Sequence, residues 1–366
     1  MKILSLSLDN KILSKASAVA GRMVDYGRLV EKYTILVPNR KYEQVKISDK
    51  VMAYGSGGRS KLAQLFKACR IGEKTLRQEK YDVITAQDQY YLALIGYWLA
   101  KKFKLGLELQ AHGFEKFYGL RKLIAKFVLP RANAVRTVSQ RLKKLLMNDF
   151  GVKEEKITVA PIYSELRIMN YELRIKKDTG KFIFLTIGRL VEVKNIGLQI
   201  EALAEVVKKY HDAELWIIGD GPERKNYELR ITNYGLKGKV KLFGWKNDLD
   251  EYYHQANAFV LTSNLEGWGL AVIEAAAAGL PIIMTDVGCA GEVIKDEESG
   301  LVIPVGGGRE LAAAMIKIIE DENLRNKLGQ NAKLAVSRLP AKEQILALYK
   351  KSWEKASSVI PAYQAV

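Results

Sequence analysis

The sequence predicts an α/β chain built from two halves, each a mainly parallel sheet wrapped by helices. Three observations carry this. Short β-rich runs alternate with longer helix-like stretches, the second half repeats that alternation, and a polar stretch divides the two. In the first half the runs are "KILSLSL" (2–8), "YTILVP" (33–38), "DVITA" (82–86), "LGLELQA" (105–111) and "AVRTV" (134–138). In the second they are "FIFLTIG" (182–188), "ELWIIG" (214–219), "KVKLFG" (239–244), "AFVLTS" (258–263) and "LPIIMT" (280–285). A glycine or hydroxyl residue often closes the run. In open α/β sheets ligands bind off the carboxyl ends of strands, so these closing residues are where chemistry is expected.

With 366 residues, 48% of them hydrophobic, the chain is long enough for two cores. The divider, "YSELRIMNYELRIKKDTG" (163–180), is polar and ends on glycine. The expected organisation is therefore a first domain over 1–165, a linker over 166–180, a second domain over 181–340, and a C-terminal helix with a tail over 341–366 that is expected to cross back to the first domain. The hexapeptide "NYELRI" occurs at 170–175 and again at 226–231. Two copies do not make a solenoid, and the repeat reads as a short duplication in permissive surface segments.

Charge is unevenly placed. Residues 1–165 hold 31 Lys and Arg against 15 Asp and Glu, whereas residues 166–366 hold 27 against 26. Such asymmetry points the first half toward an anionic partner, whether nucleic acid, acidic polysaccharide or an anionic membrane face; a generally basic, solvated surface is the alternative. A nucleic-acid binder should interleave aromatics with basic residues on a strand platform or show a recognition helix, and neither pattern is legible. The two cysteines, Cys69 and Cys289, offer neither a disulfide framework nor metal-ligand spacing, which suits a reducing, cytoplasmic setting. The opening run closes at Asp9, Asn10 and Lys11 and reads as a strand rather than a secretory leader. The uncharged stretch "QYYLALIGYWLA" (89–100) falls short of the about 20 apolar residues a bilayer span needs.

The densest signal is "SNLEGWGLAVIEAAAAGLPII" (263–283). A strand runs into a tight loop in which Gly267 and Gly269 free the backbone N–H groups at a helix start, a setting that favours an anion such as phosphate. Gly279 and Pro281 close the helix. Glu274 stands alone among apolar residues, so it needs a cationic partner or the hydroxyls of a ligand. Upstream, "FIFLTIGRLVEVKNIG" (182–197) ends a strand on Gly188 and sets Arg189 and Lys194 in the following loop, a fork and a point charge suited to a diphosphate. "IIGDGPERKN" (217–226) brings another strand to Gly219 and Gly221.

In this order "GRLVEVKN", "IIGDGPE", "KLFGW", "LTSNLEGWGLAVIEAAAAGLPII", "DVGCAGEVI" and "SGLVIPVG" resemble the C-terminal domain of the retaining GT-B glycosyltransferases of family 4. "DVITAQD", "LELQAHG" and "ITVAPI" extend the likeness more loosely over the first half. The resemblance implies a GT-B fold, two Rossmann-like domains facing a central cleft, and transfer of a sugar from a UDP- or GDP-linked donor to a hydroxyl acceptor with retention of configuration. It implies no cofactor beyond that donor, no metal, and an acceptor that is a glycan or a lipid-linked saccharide. It assigns His112, Arg189, Lys194 and Glu266 to catalysis. Gly188, Arg189, Lys194, Gly219, the loop Gly267, Trp268, Gly269 and Leu270, and Glu274 would then surround the nucleotide, with Glu274 on the ribose hydroxyls. The sequence departs from the family at "SLDNKILSKAS" (7–17), which lacks the paired glycines usual there, at "PIYSE" (161–165), and at "VGCAGE" (287–292), which replaces a common Gly-Gly and is expected to set Cys289 near the cleft.

Other readings weigh less. A glycosidase also uses paired carboxylates, but the accompanying cations fit a nucleotide donor better. "DLD" (248–250) could suggest a metal, yet it opens a helix and reads as capping. A sugar-nucleotide epimerase or hydrolase would share the donor site without an acceptor. In the basic half, "YGLRKLIAKFVLPRANAV" (118–135) repeats apolar residues at helical spacing beside Arg121, Lys122, Lys126 and Arg131, as a helix lying on an anionic inner membrane face would; a helix packed on the sheet explains the apolar stripe equally well.

Overall fold

The computed structural model of the protein describes residues 1–113, 119–163 and 180–358. The chain forms two compact units, one of Met1–Pro161 with Pro340–Val366 and one of Ile162–Leu339. Residues 164–179, which hold most of the expected linker and the first "NYELRI" copy, lie outside the described residues.

The first unit contains β1 (Lys2–Leu6), α1 (Ala18–Arg28), β2 (Lys32–Val37), β3 (Tyr42–Lys46), β4 (Val51–Ser56), α2 (Lys61–Gln78), β5 (Val83–Ala86), α3 (Tyr91–Phe103), β6 (Gly106–Ala111), α4 (Gly119–Val128), β7 (Ala134–Thr137), α5 (Gln140–Phe150) and β8 (Ile157–Val159). Its sheet runs β3-β4-β2-β1-β5-β6-β7-β8, parallel except for β3, which pairs antiparallel with β4. The order reverses between β1 and β5, which are paired from Ile3↔Val83 to Leu6↔Ala86. Central strands read as continuous apolar runs because both faces are covered, as in "KILSL" and "VITA". The β3–β4 hairpin was not legible as a strand pair, since β3 ("YEQVK") is an edge strand with alternating exposure and carries no apolar run. Serine side chains start three of these helices: Ser17 accepts from the N–H of Ala20 at α1, Ser60 from Ala63 at α2 and Ser139 from Leu142 at α5.

The second unit contains β9 (Phe182–Ile187), α6 (Ile196–Val206), β10 (Ala213–Ile218), α7 (Arg224–Asn233), β11 (Val240–Gly244), α8 (Asp250–Gln255), β12 (Ala258–Leu261), α9 (Leu270–Ala277), β13 (Ile282–Thr285), β14 (Leu301–Ile303), α10 (Gly308–Glu320) and α11 (Glu322–Ser337). All six strands are parallel, in the order β11-β10-β9-β12-β13-β14. Numbered within this unit that is 3-2-1-4-5-6, the dinucleotide-binding order, whose switch point lies between β9 and β12. The second "NYELRI" copy corrects the expectation of a permissive surface segment. It lies in α7, where Tyr227 and Ile231, one helical turn apart, are buried in the core of this unit.

The last helix, α12 (Lys342–Ser358), returns to the first unit and packs on β6 and β7. It meets a buried ion pair there. Arg136 donates to Glu108 Oε1 at 2.9 Å, the hydroxyl of Ser352 on α12 reaches the same oxygen at 3.1 Å, and Thr85 donates to the other oxygen. The Arg136 guanidinium stacks 3.6 Å from the ring centroid of Tyr349, also on α12.

Candidate functional site

The carboxyl ends of β9 and β12 are the switch point of the second unit, and the loops leaving them carry seven of the sequence-predicted residues, Gly188, Arg189 and Lys194 after β9 and Glu266, Gly267, Trp268 and Gly269 after β12. After β9 the backbone is held at each step: Gly188 N–H donates to Ile218 O at 2.9 Å and Leu190 N–H to Asp220 O at 2.9 Å, which fixes Arg189 between them with its side chain exposed. Gly219 at the end of β10 is required by this arrangement. Its φ is +137°, and a Cβ there would stand 1.9 Å from the carbonyl oxygen of Gly188. Gly219→Ala is therefore expected to destabilise this unit by about 1–3 kcal/mol and to displace the Arg189 loop; urea unfolding and nucleotide calorimetry measure the two effects.

Lys194 ends a single 3-10 turn, and Asn195 follows it in the left-handed region at φ 46°. This segment is tied to the loop after β12. The hydroxyl of Thr262 donates to Asn195 O at 3.0 Å, Asn264 N–H donates to Val193 O at 2.8 Å, and Gln199, buried, bonds to Thr262 at 2.9 Å. The tie brings two predicted residues into contact: the ammonium of Lys194 pairs with Glu266 Oε1, which also accepts from Ser263 Oγ at 2.8 Å. The sequence implied a role for each of these residues but not their contact, because they are 72 positions apart.

Gly269, at φ +91°, turns the chain into α9, whose start carries no side-chain cap. An uncapped helix start presents N–H groups and partial positive charge, the electrostatic requirement of an anion site. Gly267 and Leu270 flank this turn and are half-buried. The Trp268 ring is buried, and its backbone carbonyl accepts from Cys289 N–H at 2.9 Å, which ties the loop to the segment that follows β13. Cys289 is buried behind this loop. Glu274 sits half-buried on α9, where the hydroxyl of Tyr253 donates to its Oε2 at 3.0 Å. Tyr253 is a partner of Glu274 that gave no sequence signal, because it lies inside the ordinary helical stretch "DLDEYYHQA". In that stretch Asp248 Oδ1 accepts from Asp250 N–H at 3.1 Å, at the start of α8. Among the described residues no group of three or more His, Cys, Asp or Glu is placed to hold a metal ion.

His112 belongs to the first unit, just beyond the end of β6. Its Nε2 is 3.4 Å from Gln110 Oε1, and the amide of Gln110 donates to Thr85 at 2.9 Å. The protein mass around the imidazole, with the charges of Arg136 and Arg22, lowers its pKa and keeps it neutral at pH 7; exposure of the ring to water limits how far this goes. Of the basic residues near α4, Lys122, Lys126 and Arg131 are exposed. Arg121 is half-buried, over the rings of Tyr90 and Tyr91 at 5.6 and 5.8 Å. Among the described residues no helix is long and apolar enough to cross a membrane.

The order of motifs along these loops matches two family profiles. Residues 171–335 match the glycosyl transferases group 1, and residues 37–162 match glycosyltransferase family 4. The chain belongs to the group 1 glycosyltransferases. It is similar to a lipopolysaccharide core biosynthesis glycosyltransferase, LpsE, of Rhizobium meliloti (strain 1021), 30% identical over 186 residues that cover 50% of this chain and 53% of LpsE. This glycosyltransferase chain thus aligns with about half the length of the curated relatives it matches. Among solved structures it is similar to sucrose-phosphate synthase from Thermosynechococcus elongatus, with a TM-score of 0.79 at 19% identity over 97% of this chain and 98% of that one. Anabaena HepE in complex with UDP gives a TM-score of 0.74 at 20% identity over 98% of this chain and 100% of that one. The fold is GT-B.

Proposed function

We propose that this group 1 glycosyltransferase moves a sugar from a UDP- or GDP-linked donor to a hydroxyl acceptor with retention of configuration and without a metal ion. The acceptor is a lipid-borne saccharide or growing polysaccharide met at the inner membrane face, in keeping with the basic first unit and the likeness to LpsE. The observation that carries the donor half is the convergence, at one switch point, of Arg189, the Lys194–Glu266 pair and the uncapped start of α9. A nucleoside diphosphate suits that set. Its phosphates take the cations and the helix start, and its ribose hydroxyls take the Glu274 carboxylate. HepE, of the same fold, has been solved with UDP.

The chemistry follows from where charge grows. As the glycosidic bond breaks, negative charge develops on the leaving diphosphate, and Arg189 and Lys194 stabilise it. The acceptor hydroxyl attacks from the face the diphosphate leaves and gives its proton to a phosphate oxygen, so no protein nucleophile is needed. Lys194 exchanges Glu266 for the diphosphate, and Glu266, still held by Ser263, turns to the donor sugar. His112, neutral, offers that sugar a hydrogen bond, the role the family resemblance implies.

Calorimetry with UDP and GDP tests the donor assignment. One nucleotide should bind, and Glu274→Ala should weaken it roughly ten- to a hundredfold, the range for losing hydrogen bonds to a charged group at about 1.5–3 kcal/mol. Tyr253→Phe should weaken it less. Unchanged affinity in folded Glu274→Ala overturns the ribose assignment. Turnover should persist in excess chelator and yield a product of retained anomeric configuration; an inverted product, free sugar alone, or activity that only magnesium or manganese restores overturns the reaction proposed.

A further inference from the structure

Three neighbouring helices of the first unit repeat one surface pattern. α2, α3 and α4 pack side by side. Glu73 pairs with Lys102 between the first two, and the rings of Tyr97 and Phe127 meet edge-on at 5.4 Å between the second two. On each helix a leucine and an aromatic residue one turn apart point to solvent. They are Leu62 and Phe66 on α2, 80% and 64% exposed; Leu94 and Trp98 on α3, 39% and 45%; and Leu123 and Phe127 on α4, 66% and 42%. Residues four apart share a helix face, so each pair is a ridge. Each aromatic ring carries a cation: Arg70 lies 5.9 Å from Phe66, Lys102 4.6 Å from Trp98 and Arg131 4.2 Å from Phe127. The three helices together hold ten lysines and arginines, and Glu73 is their only acidic residue.

We propose that α2, α3 and α4 form one docking platform for an anionic lipid bilayer, with the three leucine–aromatic ridges entering the interface and the basic side chains among them meeting lipid phosphates. Charge complementarity selects this occupant. A protein partner or second copy would favour a surface poor in lysine, and seven of the ten basic residues here are lysines, which extend their charge past the apolar surface their stems cover. Nucleic acid would use aromatic faces for stacking and has no use for exposed leucines. Aliphatic residues, aromatics and lysines together are the composition of an interfacial membrane surface. The platform deepens the reading of a membrane-borne acceptor and rests on it for its purpose, whereas the surface itself lies wholly in the first unit.

Flotation of the full chain with vesicles tests it. The protein should bind vesicles of phosphatidylglycerol in phosphatidylcholine, bind phosphatidylcholine alone far less, and lose attachment as salt rises. Three exposed double variants, Leu62→Ser with Phe66→Ser, Leu94→Ser with Trp98→Ser, and Leu123→Ser with Phe127→Ser, should each lower partitioning by about tenfold, since each removes two side chains from an apolar environment. Thermal unfolding and nucleotide calorimetry on the same variants separate a failed platform from a misfolded protein or a wrong donor site. A blue shift of emission on vesicle binding should be lost with Trp98→Phe. Equal binding to neutral vesicles, or a loss confined to the α4 pair, overturns the three-helix platform. So does absence of vesicle binding with self-association that the variants abolish, or with tight binding of single-stranded RNA.

Discussion

Replacing Lys194 with alanine is expected to lower kcat for sugar transfer by about a hundredfold or more in a protein that still folds, the range for removing one group that stabilises transition-state charge. Lys194 is half-buried, and the two loops that hold it are bonded together through Thr262, Asn264 and Gln199, so its removal should not disturb the backbone. What is lost is a positive charge beside the leaving diphosphate and the counter-ion of Glu266. Lys194→Arg restores charge but not the compact ammonium, and should recover activity only in part. Steady-state kinetics that separate kcat from KM decide the matter. A fall confined to KM would make Lys194 a ground-state binding residue, and an unchanged kcat would remove it from the proposed mechanism.

A second large effect is expected away from this site. Arg136→Ala should destabilise the first unit by about 3–5 kcal/mol, because it leaves the Glu108 carboxylate buried without its guanidinium. For a unit of this size the melting transition should fall by roughly 10 °C. The loss should spread to α12, whose Tyr349 stacks on Arg136 and whose Ser352 shares Glu108 Oε1, so amide exchange over 342–358 should speed up. Glu108→Leu combined with Arg136→Met removes both charges, and should restore most of the stability. Calorimetric unfolding of the single and double variants tests this; a single variant within about 1 kcal/mol of the wild type would show that the pair is solvated in solution.

The alternation of runs and helices was legible because parallel strands covered on both faces are continuous apolar segments, as "FIFLTI" and "AELWII" are. Elements without that signature were not: the edge strand β3, and the short β8 and β14, where periodicity has too few residues to register. Of the candidate site, the loops could be placed from their glycines and charges, but contacts across the sheet could not. Lys194 meets Glu266 from another loop, and Tyr253 meets Glu274 from another helix. Trp268 belongs to the loop that the resemblance sets around the nucleotide, and the burial of its ring was not legible from that loop's residues.

By itself the sequence determined the α/β class in two halves, the family through the order of its motifs, and the concentration of positive charge before residue 165, because each is a property of neighbours along the chain. Only the tertiary structure decided which strands adjoin, and so that the loops after β9 and β12 share the switch point. It also decided which face of each helix is covered. Leu123 and Ile124 are equally apolar neighbours on α4, yet one is open to water and the other is buried, a difference set by what packs against the helix rather than by the helix itself.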